Sequence, residues 1–79
     1  MNINVEKAVT HAIHNSQSIP TGTYKFTEFL NHTGHSLYLN NDEMKMAERD
    51  FYNAVQVGQV FNVEFVSKID DISSLYKKY

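Results

Sequence analysis

The chain has 79 residues and a formal net charge of −2, and it contains five Phe, five Tyr and no Cys. The lack of cysteine excludes a disulfide scaffold and a thiolate metal site, and the acidic balance argues against the usual duplex-DNA-binding protein. A chain of this length forms one marginally stable domain, which we expect to span residues 1–79. No apolar run reaches membrane-spanning length and the polar start is unlike a signal peptide, so we expect a cytoplasmic protein without membrane contact.

The first half of the chain predicts a helix, a short strand and a second helix. Residues 3–15 carry apolar side chains at the i, i+3, i+4, i+7 spacing of an amphipathic helix. After a proline-containing loop, residues 23–26 are rich in strand-forming side chains. Residues 28–32 predict a short helix, capped by Thr27 and ended by Gly34.

The second half opens with the signals of a long helix. Asn40 and Glu43 have the spacing of a capping box at its start, and Gly58 suits the position just past its end. An apolar stripe joins these signals and consists of Met44, Ala47, Phe51, Ala54 and Val55. The pattern predicts that this helix packs one face on the core.

Two strands complete the predicted fold. Residues 61–65 alternate apolar and polar side chains, as in a half-buried strand. Residues 68–71 predict a turn, and residues 72–78 predict a strand that returns antiparallel. The order α-β-α-α-β-β predicts an α+β, winged-helix-like fold with three helices and a small antiparallel three-stranded sheet. An unrelated α+β domain with the same element order is the alternative.

Scattered positions over about residues 18–79 match the pattern of a known family. The matching residues are Ile19, Pro20, Thr21, Gly22, Thr23, Phe26, Thr27, Phe29, Leu30, Arg49, Phe51, Asn53, Val55, Lys68, Tyr76, Lys77 and Lys78. On these residues the chain resembles a domain-of-unknown-function family of small proteins from Firmicutes mobile genetic elements. The resemblance implies a winged-helix-like fold. It also implies, as for the members on staphylococcal cassette elements, single-stranded DNA binding beside a replication enzyme of the element.

The residues do not predict an enzyme. The chain has no glycine-rich phosphate loop, nucleophile elbow or Cys/His pair, and a general acid–base pair needs a pocket and shifted pKa values. We therefore expect no small-molecule substrate, cofactor or bound metal. His11 and His14 have the spacing to bind one Zn²⁺ or Ni²⁺ from a helix face. His32 and His35 have the same spacing but flank a predicted helix end. Because all-histidine structural sites are uncommon, exposed polar histidines are the preferred interpretation.

Cations and tyrosines predict a surface for single-stranded nucleic acid. Such surfaces combine cations that track phosphates with aromatic rings on which bases stack. The predicted residues are Lys25, Lys68, Tyr76, Lys77 and Lys78. Because side chains alternate along a strand, Tyr76 and Lys78 share one face while Lys77 and Tyr79 share the other, so only part of the set can act together. The alternative is a solvated last strand whose tyrosines cover the sheet edge.

The long helix predicts a protein-contact surface in preference to a DNA-reading one. Its two cations, Lys45 and Arg49, are outnumbered by four carboxylates, which would repel phosphates. The carboxylates are those of Asp42, Glu43, Glu48 and Asp50. Met46, Arg49 and Tyr52 instead provide residue types that are enriched in interface cores.

Two functions from different classes are therefore predicted. The first is a small accessory protein of a mobile genetic element, which binds single-stranded DNA, a replication enzyme or both. The second is a non-enzymatic interaction module, an inhibitor or assembly factor, which binds a protein partner or a second copy of itself and no DNA.

Overall fold

The computed structural model describes residues 3–31, 39–70 and 73–79, which form an α+β fold. The elements are α1 (Ile3–Ser16), β1 (Gly22–Lys25), α2 (Phe26–Asn31), α3 (Asn41–Gln56), β2 (Val63–Asp70) and β3 (Ser73–Lys78). Strand β3 lies between β1 and β2 and is antiparallel to both. The predicted α+β class, element order and small three-stranded sheet are thus confirmed.

The apolar stripe of α1 faces the core as predicted. Val5, Ala8 and Ala12 are buried there, because residues three and four apart lie on one side of a helix. At the end of the helix, the side-chain amide of Asn15 donates a hydrogen bond to the Phe29 carbonyl at 2.6 Å. This buried bond joins the end of α1 to α2.

The capping box predicted at the start of α3 is present. The Asn40 side-chain oxygen accepts from the Glu43 N–H at 2.8 Å, and the Glu43 carboxylate accepts from the Asn40 N–H at 3.1 Å. Each residue thereby satisfies a backbone donor that has no partner inside the helix.

The glycine predicted to end α3 occupies the position just past its C-cap. Gly58 has a φ of 81°, in the left-handed region that favours glycine. Its N–H donates to the Val55 carbonyl at 3.2 Å, and the Gln59 N–H donates to the Ala54 carbonyl at 2.9 Å. This pair of bonds is a Schellman motif, which satisfies two carbonyls at the end of the helix.

Among the described residues, none of the helices is both long and apolar enough to cross a membrane.

A cluster of four buried aromatic rings forms the centre of the core. Phe51 of α3 lies 5.1 Å from Phe26 and 5.5 Å from Phe29, measured between ring centroids. Its ring also meets that of Tyr76 on β3 edge to face at 5.0 Å. All four residues are fully buried. The cluster therefore holds α2, α3 and the central strand together.

The sheet presents one face to the helices and one away from them. The row formed by Tyr24, Tyr76 and Phe65 faces inward, and Tyr24 and Phe65 contact the core. The neighbouring row formed by Thr23, Lys77 and Glu64 is exposed on the outer face. Successive residues of a strand point to opposite faces, so Tyr76 and Lys77 lie on different sides of the sheet.

The hairpin differs from the sequence prediction at both ends of β2. The strand begins at Val63, and Phe61 precedes it with 71% of its surface exposed. Lys68 lies within β2, which continues to Asp70, so the turn predicted at 68–71 is wrong over its first part. The pairing continues to Asp70 through two register shifts, at each of which β2 has one extra residue.

The short helix α2 also begins earlier than predicted. Phe26 is already helical, and the Glu28 carboxylate accepts from the Lys25 N–H at 3.1 Å. That bond places Lys25 at the N-cap, so the predicted cap, Thr27, lies inside the first turn. The predicted stop at Gly34 lies outside the described residues.

Phe51 and Phe61 provide a matched test of the core. Phe51→Ala should lower the free energy of unfolding by about 3–5 kcal/mol, because the substitution removes a fully buried ring and leaves a cavity. Phe61→Ala should change it by less than about 0.5 kcal/mol, because the ring is already exposed. Urea denaturation followed by circular dichroism measures both values, and equal losses for the two variants would contradict this assignment of the core.

Candidate functional site

The inner face of the hairpin and α3 enclose a cleft with a volume of about 250 Å³. We call it the α3–hairpin cleft. Its lining residues are Lys45, Glu48, Arg49, Tyr52, Phe65, Lys68 and Ser74. A wider concavity of about 420 Å³, the outer depression, adjoins it and is lined by Lys45, Met46, Arg49 and Lys68. The two concavities share the same three cationic side chains.

Two of these cations are brought together by helix geometry. Lys45 and Arg49 are four residues apart on α3 and therefore lie on one side of the helix. The Arg49 side chain is 70% exposed and forms a 3.9 Å ion pair with Asp50. Exposed ion pairs of this kind contribute little energy, so the guanidinium is available to an anionic ligand.

The third cation reaches the cleft through a β-bulge. Phe65 is paired with Tyr76 on the inner face, and Ser67 is paired with the next residue of β3, Leu75. The extra residue in β2 shifts the register by one, and a shift of one residue moves every later side chain to the opposite face. Lys68 consequently lies opposite Ser74 on the inner side, beside α3.

The four carboxylates of α3 differ in their position relative to this cation group. Glu43 belongs to the capping box, and the Asp50 carboxylate lies 3.9 Å from the Arg49 guanidinium. Asp42 is exposed in the first turn. Among the described residues, Glu48 is the one carboxylate that lines the cleft, and its side chain is buried. The net charge of the helix is therefore a poor guide to the charge of the cleft.

Two aromatic side chains form a wall of the cleft. Tyr52 of α3 and Phe65 of β2 meet edge to face, with their ring centroids 4.9 Å apart. Both are half-buried, so each keeps part of its ring in contact with solvent. Phe65 also contacts Tyr76 at 5.9 Å, which ties this wall to the core.

The floor of the cleft contains a buried acid beside a buried phenol. The Tyr76 hydroxyl donates to the Glu48 carboxylate at 3.4 Å. Burial is the largest cause that raises the pKa of Tyr76 far above its ordinary value, and the neighbouring Glu48 carboxylate raises it further. Tyr76 is thus held neutral as a hydrogen-bond donor to Glu48.

The structure divides the residues predicted to bind nucleic acid between the two faces of the sheet. Tyr76 is fully buried, so no base can stack on its ring in this conformation, and Lys78 is only 7% exposed. The predicted stacking role of Tyr76 is therefore corrected to a structural one. Lys25 and Lys77 lie on the outer face, whereas Lys68 lies on the inner side.

The outer face of the sheet holds a second, smaller group of polar side chains. The Lys77 ammonium lies 5.1 Å from the centroid of the Tyr79 ring. The Tyr79 hydroxyl donates a short hydrogen bond to the Glu64 carboxylate, which raises the pKa of Tyr79. Glu64 places a negative charge beside Lys77, so this face is less cationic than the cleft.

The residues predicted as a protein interface lie around the cation group. Arg49 and Tyr52 line the α3–hairpin cleft, and Met46 lines the outer depression with 39% of its surface exposed. Sequence reasoning missed the contribution of Lys45, although its spacing of four residues from Arg49 was a signal for a shared helix face.

The two histidines of α1 do not line this cleft. His11 is half-buried and His14 exposed on α1, and the positions His32 and His35 lie outside the described residues. Within residues 3–31, 39–70 and 73–79, no group of three or more His, Cys, Asp or Glu side chains is placed to hold a metal ion.

Comparisons with known proteins leave the function open. No significant match was found to a protein-family model, a curated protein or a solved structure. The resemblance to a mobile-element family therefore stays a prediction. A functional proposal for this chain depends on the geometry and charge of the α3–hairpin cleft.

Tyr76→Phe tests the buried phenol. Above the ordinary tyrosine pKa of 10.0, the unfolded chain loses this proton while the folded chain keeps it. The free energy of unfolding should therefore fall as pH rises, with a slope of up to about 1.4 kcal/mol per pH unit from this group. Urea denaturation from about pH 9 to about pH 11 should show a steeper decline for the wild type than for Tyr76→Phe.

Tyr79→Phe is the matched control, because Tyr79 is an exposed tyrosine of the same strand end. Solvent screening keeps its contribution to the pH dependence small, so most of the alkaline decline should remain. A decline that is equal in the wild type and in Tyr76→Phe would show that Tyr76 ionises as readily in the folded chain as in the unfolded one.

Proposed function

We propose that the protein binds single-stranded nucleic acid in the α3–hairpin cleft. The observation that carries the proposal is the group formed by Lys45, Arg49 and Lys68, which two elements bring to both concavities. Clustered cations attract a phosphate backbone and release its counterions on binding. The adjacent Tyr52 supplies the aromatic surface that single-strand binding sites combine with cations.

The charge on the rest of α3 favours a single strand over a duplex. A helix that enters the major groove presents its solvent-facing side to bases and phosphates. On α3 that side carries the exposed Asp42 and Asp50, which would repel the phosphates of two strands. A single strand carries fewer phosphates along the same length than a duplex does, so these carboxylates repel it less.

The topology supports a winged-helix-like interpretation of the fold. Helix α3 would then correspond to the recognition helix and the β2–β3 hairpin to the wing, with the cleft between them. The sheet order β1-β3-β2 is compatible with this correspondence. Together with the family resemblance, it supports a role as a cytoplasmic accessory protein of a mobile genetic element that acts beside a replication enzyme.

A protein-interaction module is the second candidate. The exposed Met46 lies beside Arg49 and near Tyr52, and these three residue types are enriched in interface cores. In this case an acidic segment of a partner, such as a replication enzyme, would occupy the same cationic surface. Nucleic acid is favoured because interface cores are depleted in charge, whereas three cations dominate this site.

Fluorescence polarisation with labelled single- and double-stranded oligonucleotides tests the proposal. At roughly 50 mM and 200 mM salt, the wild type should bind the single strand more tightly than the duplex and lose affinity as salt rises. Lys45→Gln, Arg49→Gln and Lys68→Gln should each weaken binding and reduce the log–log salt slope by about 0.7, the value for one phosphate contact on a single strand.

Lys25→Gln and Lys77→Gln are the matched controls, because they remove the same charge from the outer face of the sheet. Both should keep nearly wild-type affinity. If the outer-face variants lose binding while the cleft variants keep it, the site is on the other side of the sheet. If the wild type binds no oligonucleotide at the lower salt concentration, the proposed function is wrong.

A further inference from the structure

The two concavities around the cation group differ in chemistry. The α3–hairpin cleft has an aromatic wall made by Tyr52 and Phe65, whereas the outer depression is lined by Met46 and the three cations. Lys45, Arg49 and Lys68 form the boundary between them. A ligand that spans both concavities would place an aromatic group in one and anionic groups at the boundary.

We propose that the α3–hairpin cleft is a pocket for one unpaired nucleobase. In this arrangement the base contacts the aromatic wall, and the phosphates on either side of it contact Lys45, Arg49 and Lys68. The inference rests on the proposed function, and it adds that a base, as well as the backbone, is bound. A single nucleotide of the strand thus occupies the cleft while its neighbours lie along the outer depression.

The size of the cleft fits this ligand. Pockets for drug-sized molecules have volumes of roughly 300–1,000 Å³, and the cleft, at about 250 Å³, lies just below that range. It is therefore suited to one flat ring system. The wider outer depression, at about 420 Å³, accommodates the sugar–phosphate chain next to the base.

The aromatic wall is packed against the core. Phe65 packs on Tyr76 of the core and on Tyr52 at the rim, so its position is fixed from two sides. Tyr52 is held by the same edge-to-face contact. The two rings are perpendicular, so a base that stacks on one ring meets the other at its edge. Every base has a π-face, so this arrangement tolerates different sequences.

A base pocket also selects single strands over duplexes. A base that is paired and stacked in a duplex must be unpaired and rotated out before it can enter a side pocket, at a cost in free energy. An unpaired base avoids that cost. The pocket therefore gives a preference for single strands that does not depend on the repulsion by the acidic residues of α3.

Oligonucleotides that differ only in their bases separate this inference from the proposed function. A labelled thymidine oligonucleotide is compared with a strand of the same length and phosphate count whose sugars are abasic. Wild-type protein should bind the abasic strand roughly 5- to 150-fold more weakly, the range expected for the loss of one stacked base. The salt slopes of the two strands should be equal, because their phosphate contacts are the same.

Tyr52→Leu supplies a second test, because it removes the ring and keeps a shorter apolar side chain at the same position. This variant should bind the two strands with nearly equal affinity and keep the wild-type salt slope. Tyr79→Leu is the matched control on the outer face and should keep the wild-type difference between the strands. Circular dichroism of both variants confirms that they are folded.

The outcomes are distinguishable. If the wild type binds both strands equally and in a salt-dependent manner, the base pocket is overturned and the proposed function stands. If it binds neither strand at low salt, the proposed function fails and the base pocket fails with it. If poly-glutamate competes with the thymidine strand as well as unlabelled thymidine strand does, the cleft binds polyanions without a base, which also overturns the inference.

Discussion

The edge-to-face packing of Phe51 against Tyr76 is the contact on which the rest of the structure depends. It joins α3 to the central strand, and Phe26 and Phe29 extend the contact to α2. With Tyr76 fixed inward, strand alternation determines the direction of every other β3 side chain. A domain of this size has a small core, so the arrangement that buries these rings also determines which side chains stay exposed.

The β-bulge after Phe65 determines on which face of the sheet Lys68 lies. Up to Phe65 the pairing of β2 with β3 follows the alternation that buries Tyr76, and beyond it the register shifts by one residue. Without that shift Lys68 would lie on the outer face with Lys77. With it, Lys68 lies beside Lys45 and Arg49. Bulges occur where a strand must redirect a side chain, and here the redirected side chain completes the cation group.

The helices and the order of the elements were predictable from sequence because their signals are local. The capping box at Asn40, the glycine past the end of α3 and the apolar stripes each depend on residues a few positions apart. The position of the cleft residues depends instead on the pairing register of β2 with β3 and on which side chains are buried. Nothing in the alternation of residues 61–65 indicates a bulge after Phe65. The pattern of the last strand also does not show which of its two faces the core covers. For this reason the sequence predicts an exposed Tyr76, whereas the structure buries it.

The charge around the cleft differs from the net charge of the chain, because folding buries or caps some of the charged side chains. The sequence totals favour an acidic protein, and α3 carries twice as many carboxylates as cations. Folding uses Glu43 in a cap and buries Glu48 against the neutral Tyr76. The buried Glu48 carboxylate lowers the positive potential of the cleft, while the three cations remain exposed at its rim. A surface of this kind attracts a flexible anionic chain at short range, within about 10 Å of screening length, while the whole protein keeps a net negative charge.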